Sequence, residues 1–261
     1  MSDLVTVDLV DNVLRIGVNR ADKRNAHNLE VIAALGAAYD RIAEDDEVRV
    51  AVVYGHGDHF SAGLDLAEVG PYVAEHGPSA LAGEGTHDPY GVFGPRVPKP
   101  VVLAVQGIAF TLSIELALAA DIVVAADDVR FRQLEIGRGI IPFGGATIRA
   151  QEQLGWGNAM RFLLTAEEFG AEEALRIGLV QEVVPAGEQA ERAFAIGATI
   201  AKQAPLGVQG TLQNALVARH QGFDAARDHL AELLPTIMNS EDAAEGVRSF
   251  VERREAEFTG R

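Results

Sequence analysis

The chain of 261 residues, 48% of them hydrophobic, is long enough to bury a sizeable core, either as one large domain or as a domain with a helical appendage. Its 38 acidic and 22 basic side chains leave a formal charge of −16, which argues against nucleic acid and anionic membranes as partners, so any anionic ligand must be held locally. The absence of cysteine excludes disulfides, thiolate metal sites and a cysteine nucleophile. The acidic start Met1-Ser2-Asp3-Leu4 lacks the pattern of a targeting peptide, and no uncharged apolar run reaches spanning length; a cytoplasmic protein is expected.

Leu4–Val10 and Val13–Val18 are β-rich runs separated by Asp11-Asn12, the pattern of a hairpin. The polar stretch from Asn19 to Asn28 carries Arg20, Lys23 and Arg24 in an otherwise acidic chain, which makes it either a solvated turn or an anion site. A helix follows from Leu29 to about Glu44, with Asn28 as N-cap and Ile32, Leu35, Tyr39 and Ile42 at helical spacing. Val48–Tyr54 is a buried strand leading into Gly55–Leu66, whose small residues allow close approach of backbone to a ligand; Asp65 is placed to begin a helix. His56 and His59 lie three apart without a third metal ligand in pattern, so no metal is expected. From Gly70 to Lys99, Gly, Pro and His without periodicity read as a long mobile cover.

The stretch from Val101 to Gly139 carries the chemistry. Val101–Val105 reads as a buried strand, Gly107 as a break, and Thr111 onward as a helix of about three turns ending at Asp121. Glu115 sits in that helix with apolar neighbours on every face, so its carboxylate is expected to be buried. A first-turn glutamate also meets the positive end of the helix dipole, worth about 0.3–1 kcal/mol, and needs no chemical role for that. An ionised group buried without partners is costly, however, and is usually kept for a use. After a strand at Ile122–Ala125, the run Val129-Arg130-Phe131 gives the chain an opportunity to return Glu135 to the neighbourhood of Glu115.

Beyond Gly139 the order changes to helices at Ala146–Leu154, Gly157–Leu164 and Ala171–Ile177, a last strand at Leu179–Val184, and three or four helices from Glu188 to Glu257 divided near Pro205, Gly222 and Ser240. An α/β core with a helical C-terminal region follows.

Five motifs in order support a family resemblance: Asn19-Arg20…Lys23-Arg24-Asn25-Ala26; Phe60-Ser61-Ala62-Gly63-Leu64-Asp65-Leu66; Val105-Gln106-Gly107-Ile108-Ala109…Glu115-Leu116-Ala117…Asp121-Ile122; Glu135-Ile136-Gly137…Pro142…Gly144-Gly145; and Ser240-Glu241-Asp242…Glu245-Gly246. Along nearly its whole length the chain resembles the crotonase (enoyl-CoA hydratase/isomerase) superfamily. The resemblance implies a spiral of ββα turns over residues 1–200 and a helical region over 201–261 used in assembly and as an active-site cover. It also implies a homotrimer or homohexamer and an acyl-coenzyme A thioester as substrate. No separate cofactor is implied, coenzyme A being part of the substrate. By the same resemblance, the backbone N–H groups of Leu64 and Leu112 form an oxyanion hole, and N–H groups at a helix start do lack intrahelical partners. Lys23 and Arg24 are available to phosphates, and Asn25, Ala26, Ala62, Gly63, Asp65, Leu66 and Phe258 border the coenzyme A site.

The two glutamates match the pair used by the family's hydratases, Glu115 activating water for C3 and Glu135 protonating C2 of a 2-enoyl thioester. Isomerisation of a 3-enoyl thioester needs only one carboxylate, so the pair favours hydration; the alternatives are that isomerisation or another crotonase reaction, and an acyl-CoA-binding protein without turnover. Two departures from the family pattern stand out. Thr111-Leu112-Ser113 replaces a glycine triplet, with Thr111 expected to cap the helix through its hydroxyl, and Leu134 replaces a proline. Both substitutions narrow the expected acyl pocket.

Overall fold

The computed structural model describes residues 3–83 and 85–261, so Met1, Ser2 and one position of the expected cover segment, Glu84, lie outside the described residues. In chain order the elements are β1 (Val5–Val10), β2 (Val13–Val18), α1 (Leu29–Glu44), β3 (Val50–Gly55), α2 (Leu66–His76), β4 (Val101–Val105), β5 (Ile108–Phe110), α3 (Leu112–Ala119), β6 (Ile122–Ala126) and β7 (Arg130–Arg132). They continue with α4 (Ala146–Gln153), α5 (Trp156–Thr165), β8 (Phe169–Gly170), α6 (Ala171–Ile177), β9 (Glu182–Val184), α7 (Gln189–Ala201), α8 (Pro205–Gln221), α9 (Phe223–Met238) and α10 (Glu241–Glu252).

The main sheet has the order β1-β2-β3-β4-β6-β9, antiparallel between β1 and β2 and parallel elsewhere. Asp11 and Asn12 both take positive φ, 49° and 64°, the geometry a two-residue hairpin requires and short polar side chains tolerate. The interior strands are apolar on both faces because both faces are covered. On one side Leu14, Ile16, Val53 and Leu103 pack in the cluster that includes α1 through Val31, Leu35 and Tyr39; on the other Val13, Val52 and Val102 pack against Ala193 and Phe194 of α7. A second, smaller sheet, β5-β7-β8, carries the chain on either side of α3 and brings the segment after β7 back toward that helix.

The expected α1 is present, and Asn28 caps it by accepting the N–H of Val31 at 3.1 Å. Two expectations need correction. The cover does not begin at Gly70: α2 runs through Gly70 and Pro71 to His76, because burial of Val69 holds a helix that local propensity disfavours. A 3-10 turn follows at Pro78–Leu81, and the loop beyond is organised by Asp88, whose carboxylate accepts the N–H groups of Tyr90, Val92 and Phe93 at 2.8–2.9 Å. The second correction is α3, which has eight residues, about two turns rather than three.

The four C-terminal helices break where expected, at Pro205, Gly222 and Ser240, and Ser240 caps α10 through the N–H of Ala243. The tail is tied back: Arg49 donates to the carbonyls of Ala201 and Phe258 at 2.8 and 2.7 Å, and Glu245 accepts from Arg254 and Arg248. Arg254, the N–H of Glu257 and Arg248 hold the Glu245 carboxyl down at about 2. No helix among the described residues is long and apolar enough to cross a membrane.

Candidate active site

Glu115 lies in the first turn of α3, a helix with no polar face, and is 2% exposed. Its Oε1 accepts the N–H of Ala146 at 3.0 Å, and the N–H of Gly144 reaches the same carboxylate, so the start of α4 cradles it. The cradle needs glycine: a Cβ at Gly144 would lie 2.6 Å from Glu115 Oε2. Burial pushes the Glu115 carboxyl up to about 7; the Ala146 N–H opposes that, the charge of Glu135 adds to it, and Arg149 opposes it.

Glu135 opens a 3-10 turn, Glu135–Arg138, immediately after the second sheet. Its Oε1 accepts from Gln133 Nε2 at 3.0 Å, whereas Oε2 is buried without a partner. Burial raises this carboxyl to about 7 as well, against hydrogen bonds from its own N–H, Gln133 and the N–H of Leu134. Two carboxyls poised near neutrality can divide into one proton donor and one acceptor.

The segments that carry Leu64 and Leu112 are tied together by a chain of hydrogen bonds around Ser61. The Ser61 backbone bridges to β5 through Ile108 and Phe110, its Oγ donates to the carbonyl of Asn25 at 2.7 Å, and its carbonyl accepts the hydroxyl of Ser113 at 3.1 Å. His27 pairs on either side of Leu64, donating to the Gly63 carbonyl and accepting from Asp65 N–H. In this parallel bridge the Leu64 N–H therefore faces away from His27. Neither the Leu64 nor the Leu112 N–H has an acceptor among the described residues.

Both leucines, both glutamates, Ala62 and Thr111 line one cavity of about 210 Å³. A narrower apolar cavity adjoins it across Leu64, Leu112 and Phe143 and is closed by Tyr90, Val92 and Phe93.

Thr111 stands at the N-cap position but does not cap. Its φ of 52° and ψ of −111° turn the hydroxyl away from the helix N–H groups, and it makes no capping bond; the Thr111 carbonyl accepts the N–H of Ile114 instead.

Of the polar loop, Lys23 and Arg24 are exposed and form no ion pair among the described residues, whereas Arg20 is spent on Asp65 at 2.8 Å and on the Ala26 carbonyl. The Asp65 carboxylate is thereby occupied at the head of α2. Asn25 is fully buried: Oδ1 accepts the Arg20 N–H, and Nδ2 donates to the carbonyls of His56 and His59. Its side chain therefore shapes the loop and has no free face for a ligand. Ala26, Ala62 and Gly63 flank the same segment, with Ala62 N–H bound to the Arg24 carbonyl, and Leu66 lines the cavity half-open to solvent. Phe258 lies elsewhere in the chain, in a cleft with Arg49, Lys202 and Glu257. His56 and His59 are engaged with Thr6 and the N–H of Ile108.

Four residues that hold the carboxyls have no separate role in the sequence reading: Gln133, Gly144, Ala146 and Arg149. Arg149 bonds the Gly91 carbonyl at 2.8 Å and packs over Gly145, tying the wall of the apolar cavity to α4.

One cavity is thus lined by two leucines whose amides have no acceptor among the described residues and by two carboxyls raised by burial. The chain belongs to the enoyl-CoA hydratase/isomerase family, whose model matches residues 9–261. It is 34% identical over 257 residues to the carnitinyl-CoA dehydratase of Salmonella typhimurium, covering 95% of each chain. It is also similar to the crystal structure of a probable enoyl-CoA hydratase/isomerase from Mycobacterium abscessus, with 48% identity, 99% of both chains covered and a TM-score of 0.95. The enoyl-CoA hydratase structure from Mycobacterium tuberculosis matches with 32% identity, all of both chains covered and a TM-score of 0.90.

Proposed function

We propose that the chain is an enoyl-CoA hydratase-type hydro-lyase that adds water across a 2-enoyl-CoA thioester, and removes it in reverse. The observation that carries this reading is the presence of two carboxyls, Glu115 and Glu135, both raised to about 7 in one cavity with two unengaged amides. In the forward direction Glu115 takes a proton from water as its oxygen bonds C3, and Glu135 gives a proton to C2. Charge gathers meanwhile on the thioester oxygen, against the N–H groups of Leu64 and Leu112. Donors of this kind are worth roughly 2.7–4 kcal/mol each in the transition state. Glu115 ends protonated and Glu135 ionised, the starting state for dehydration of a 3-hydroxyacyl thioester, which agrees with the dehydratase name of the Salmonella relative.

Lys23 and Arg24 are the cations offered to the coenzyme A phosphates. At the coenzyme A site we assign backbone at Asn25, Ala26, Ala62 and Gly63, apolar contact at Leu66, Phe258 from a neighbouring chain, and Asp65 as a border residue held by Arg20. Residues 1–200 form the catalytic core, and 201–261 serve assembly as a trimer or a dimer of trimers. The exposed Phe223, Phe250, Val247 and Met238 on α9 and α10 support an assembly role.

Incubation with crotonyl-CoA and, separately, a 3-enoyl-CoA, followed by mass analysis, tests the reading. A gain of water from crotonyl-CoA supports it. A mass-neutral shift of the 3-enoyl thioester alone makes the chain an isomerase, and tight binding without change makes it an acyl-CoA-binding protein.

A further inference from the structure

Thr111 adopts a backbone conformation that glycine reaches freely and a β-branched residue does not, with φ 52° and ψ −111°. The strain brings no capping bond, since the hydroxyl reaches no helix N–H. It places the hydroxyl instead against Gly63: a Cβ added at Gly63 would collide with Thr111 Oγ1, so the space the hydroxyl fills exists because residue 63 has no side chain. Gly63 directly precedes one amide of the proposed oxyanion hole, and Thr111 directly precedes the other. The Thr111 hydroxyl thus sits one residue from both donors, at the wall of the cavity that holds Glu115 and Glu135. It has no hydrogen-bond partner among the described residues.

We propose that the Thr111 hydroxyl is a third hydrogen-bond donor to the thioester oxygen, acting beside the N–H groups of Leu64 and Leu112. A hydroxyl can rotate its proton toward whichever acceptor arrives, and the charge developing on a thioester oxygen is the strongest acceptor this part of the cavity receives. The backbone strain then has a use: with φ near −60° the side chain would point along α3, whereas the observed conformation turns it across to the Gly63 segment. The proposal rests on the thioester-binding reading above, but not on which reaction follows.

Valine is the informative replacement, because it keeps the β-branched shape and the backbone strain while exchanging the hydroxyl for a methyl group that cannot donate. Thr111→Val is expected to lower kcat on crotonyl-CoA on the order of ten- to a hundredfold, the range for a hydrogen bond to a charged group, with KM nearly unchanged. Thr111→Ser is expected to restore most of the loss. Thr111→Gly is expected to raise the melting temperature by relieving strain while turnover falls.

The carbonyl stretch of bound, carbon-13-labelled butyryl-CoA, a thioester that cannot react, supplies a readout independent of turnover. It should move to higher frequency in Thr111→Val and stay near the parent value in Thr111→Ser. If the parent chain leaves crotonyl-CoA unchanged but the frequency shift appears, the hydratase reading fails and the third donor stands. Full turnover in a folded Thr111→Val with an unshifted carbonyl overturns the third donor and leaves the hydratase reading intact. A rise in KM alone, without loss of kcat, also overturns it, because a donor matched to developing charge must act on kcat.

Discussion

Replacing Glu135 with Gln separates the stability cost of the site from its catalytic use. In the folded chain the Glu135 carboxyl is raised from an ordinary 4.5 to about 7 by burial, and its Oε2 has no partner. Between those two values the folded chain still holds a proton that the unfolded chain has released, so this group's contribution to stability falls as pH rises through that window. A shift from 4.5 to about 7 amounts to about 3 kcal/mol of destabilisation by about pH 8 and to about 1 kcal/mol or less by about pH 5. Glutamine keeps an acceptor for Gln133 Nε2 and carries no charge to desolvate. It also removes the repulsion that helps raise Glu115. Glu135→Gln is therefore expected to melt up to roughly 6–12 °C above the parent chain at about pH 8, with the gap mostly closed at about pH 5. Turnover of crotonyl-CoA should fall about 10²-fold or more in the same variant. Thermal melts at both pH values and steady-state rates test both halves. A melting gap independent of pH would refute the assignment of a raised, desolvated carboxyl, and near-normal turnover would remove Glu135 from the mechanism.

Glu115→Gln is expected to lose turnover by about 10²-fold or more with thioester binding little changed, and the double variant should lose less than the product of the single losses, because both groups act on one substrate. With one carboxyl needed ionised and the other protonated, and both raised to about 7, the profile of kcat/KM against pH should be a narrow bell centred near neutrality; a flat profile from about pH 5 to 9 would contradict that pairing. Gly144→Ala puts a Cβ 2.6 Å from Glu115 Oε2, so it should lower kcat about 10²-fold by displacing the carboxylate, and circular dichroism should find the fold intact. Light scattering at micromolar concentration should find a trimer or hexamer, and truncation before Ser240, which removes the Glu245–Arg254 tie, should weaken it; a stable full-length monomer would refute the assembly role.

What could be read from the sequence was what depends on neighbours along the chain. Asp11-Asn12 between two β-rich runs specifies a hairpin, Asn28 before a 3.6-residue pattern specifies the start of α1, and the apolar surroundings of Glu115 specify its burial on any fold. The helix through Gly70 and Pro71 was not readable, because the contacts that override poor propensity come from distant elements. The N–H of Ala146, 31 residues beyond Glu115, and the long reach of Arg149 to Gly91 are invisible for the same reason. Asn25 lies in a segment that the resemblance places beside coenzyme A, but the sequence does not show that its side-chain amide is consumed inside the protein by three backbone partners, which leaves only its backbone to a ligand. The sequence places Thr111 at the head of α3, but not the positive φ that turns its hydroxyl against Gly63.

The central claim, that Glu115 and Glu135 together add water to an enoyl thioester, is tested most directly by incubating crotonyl-CoA with the chain in water enriched in heavy oxygen and analysing the product by mass. The account predicts one heavy oxygen at C3 of a 3-hydroxyacyl-CoA, formed by the parent chain and reduced about 10²-fold or more in each of Glu115→Gln and Glu135→Gln. Unlabelled product, or label incorporated at the parent rate in either variant, would contradict it.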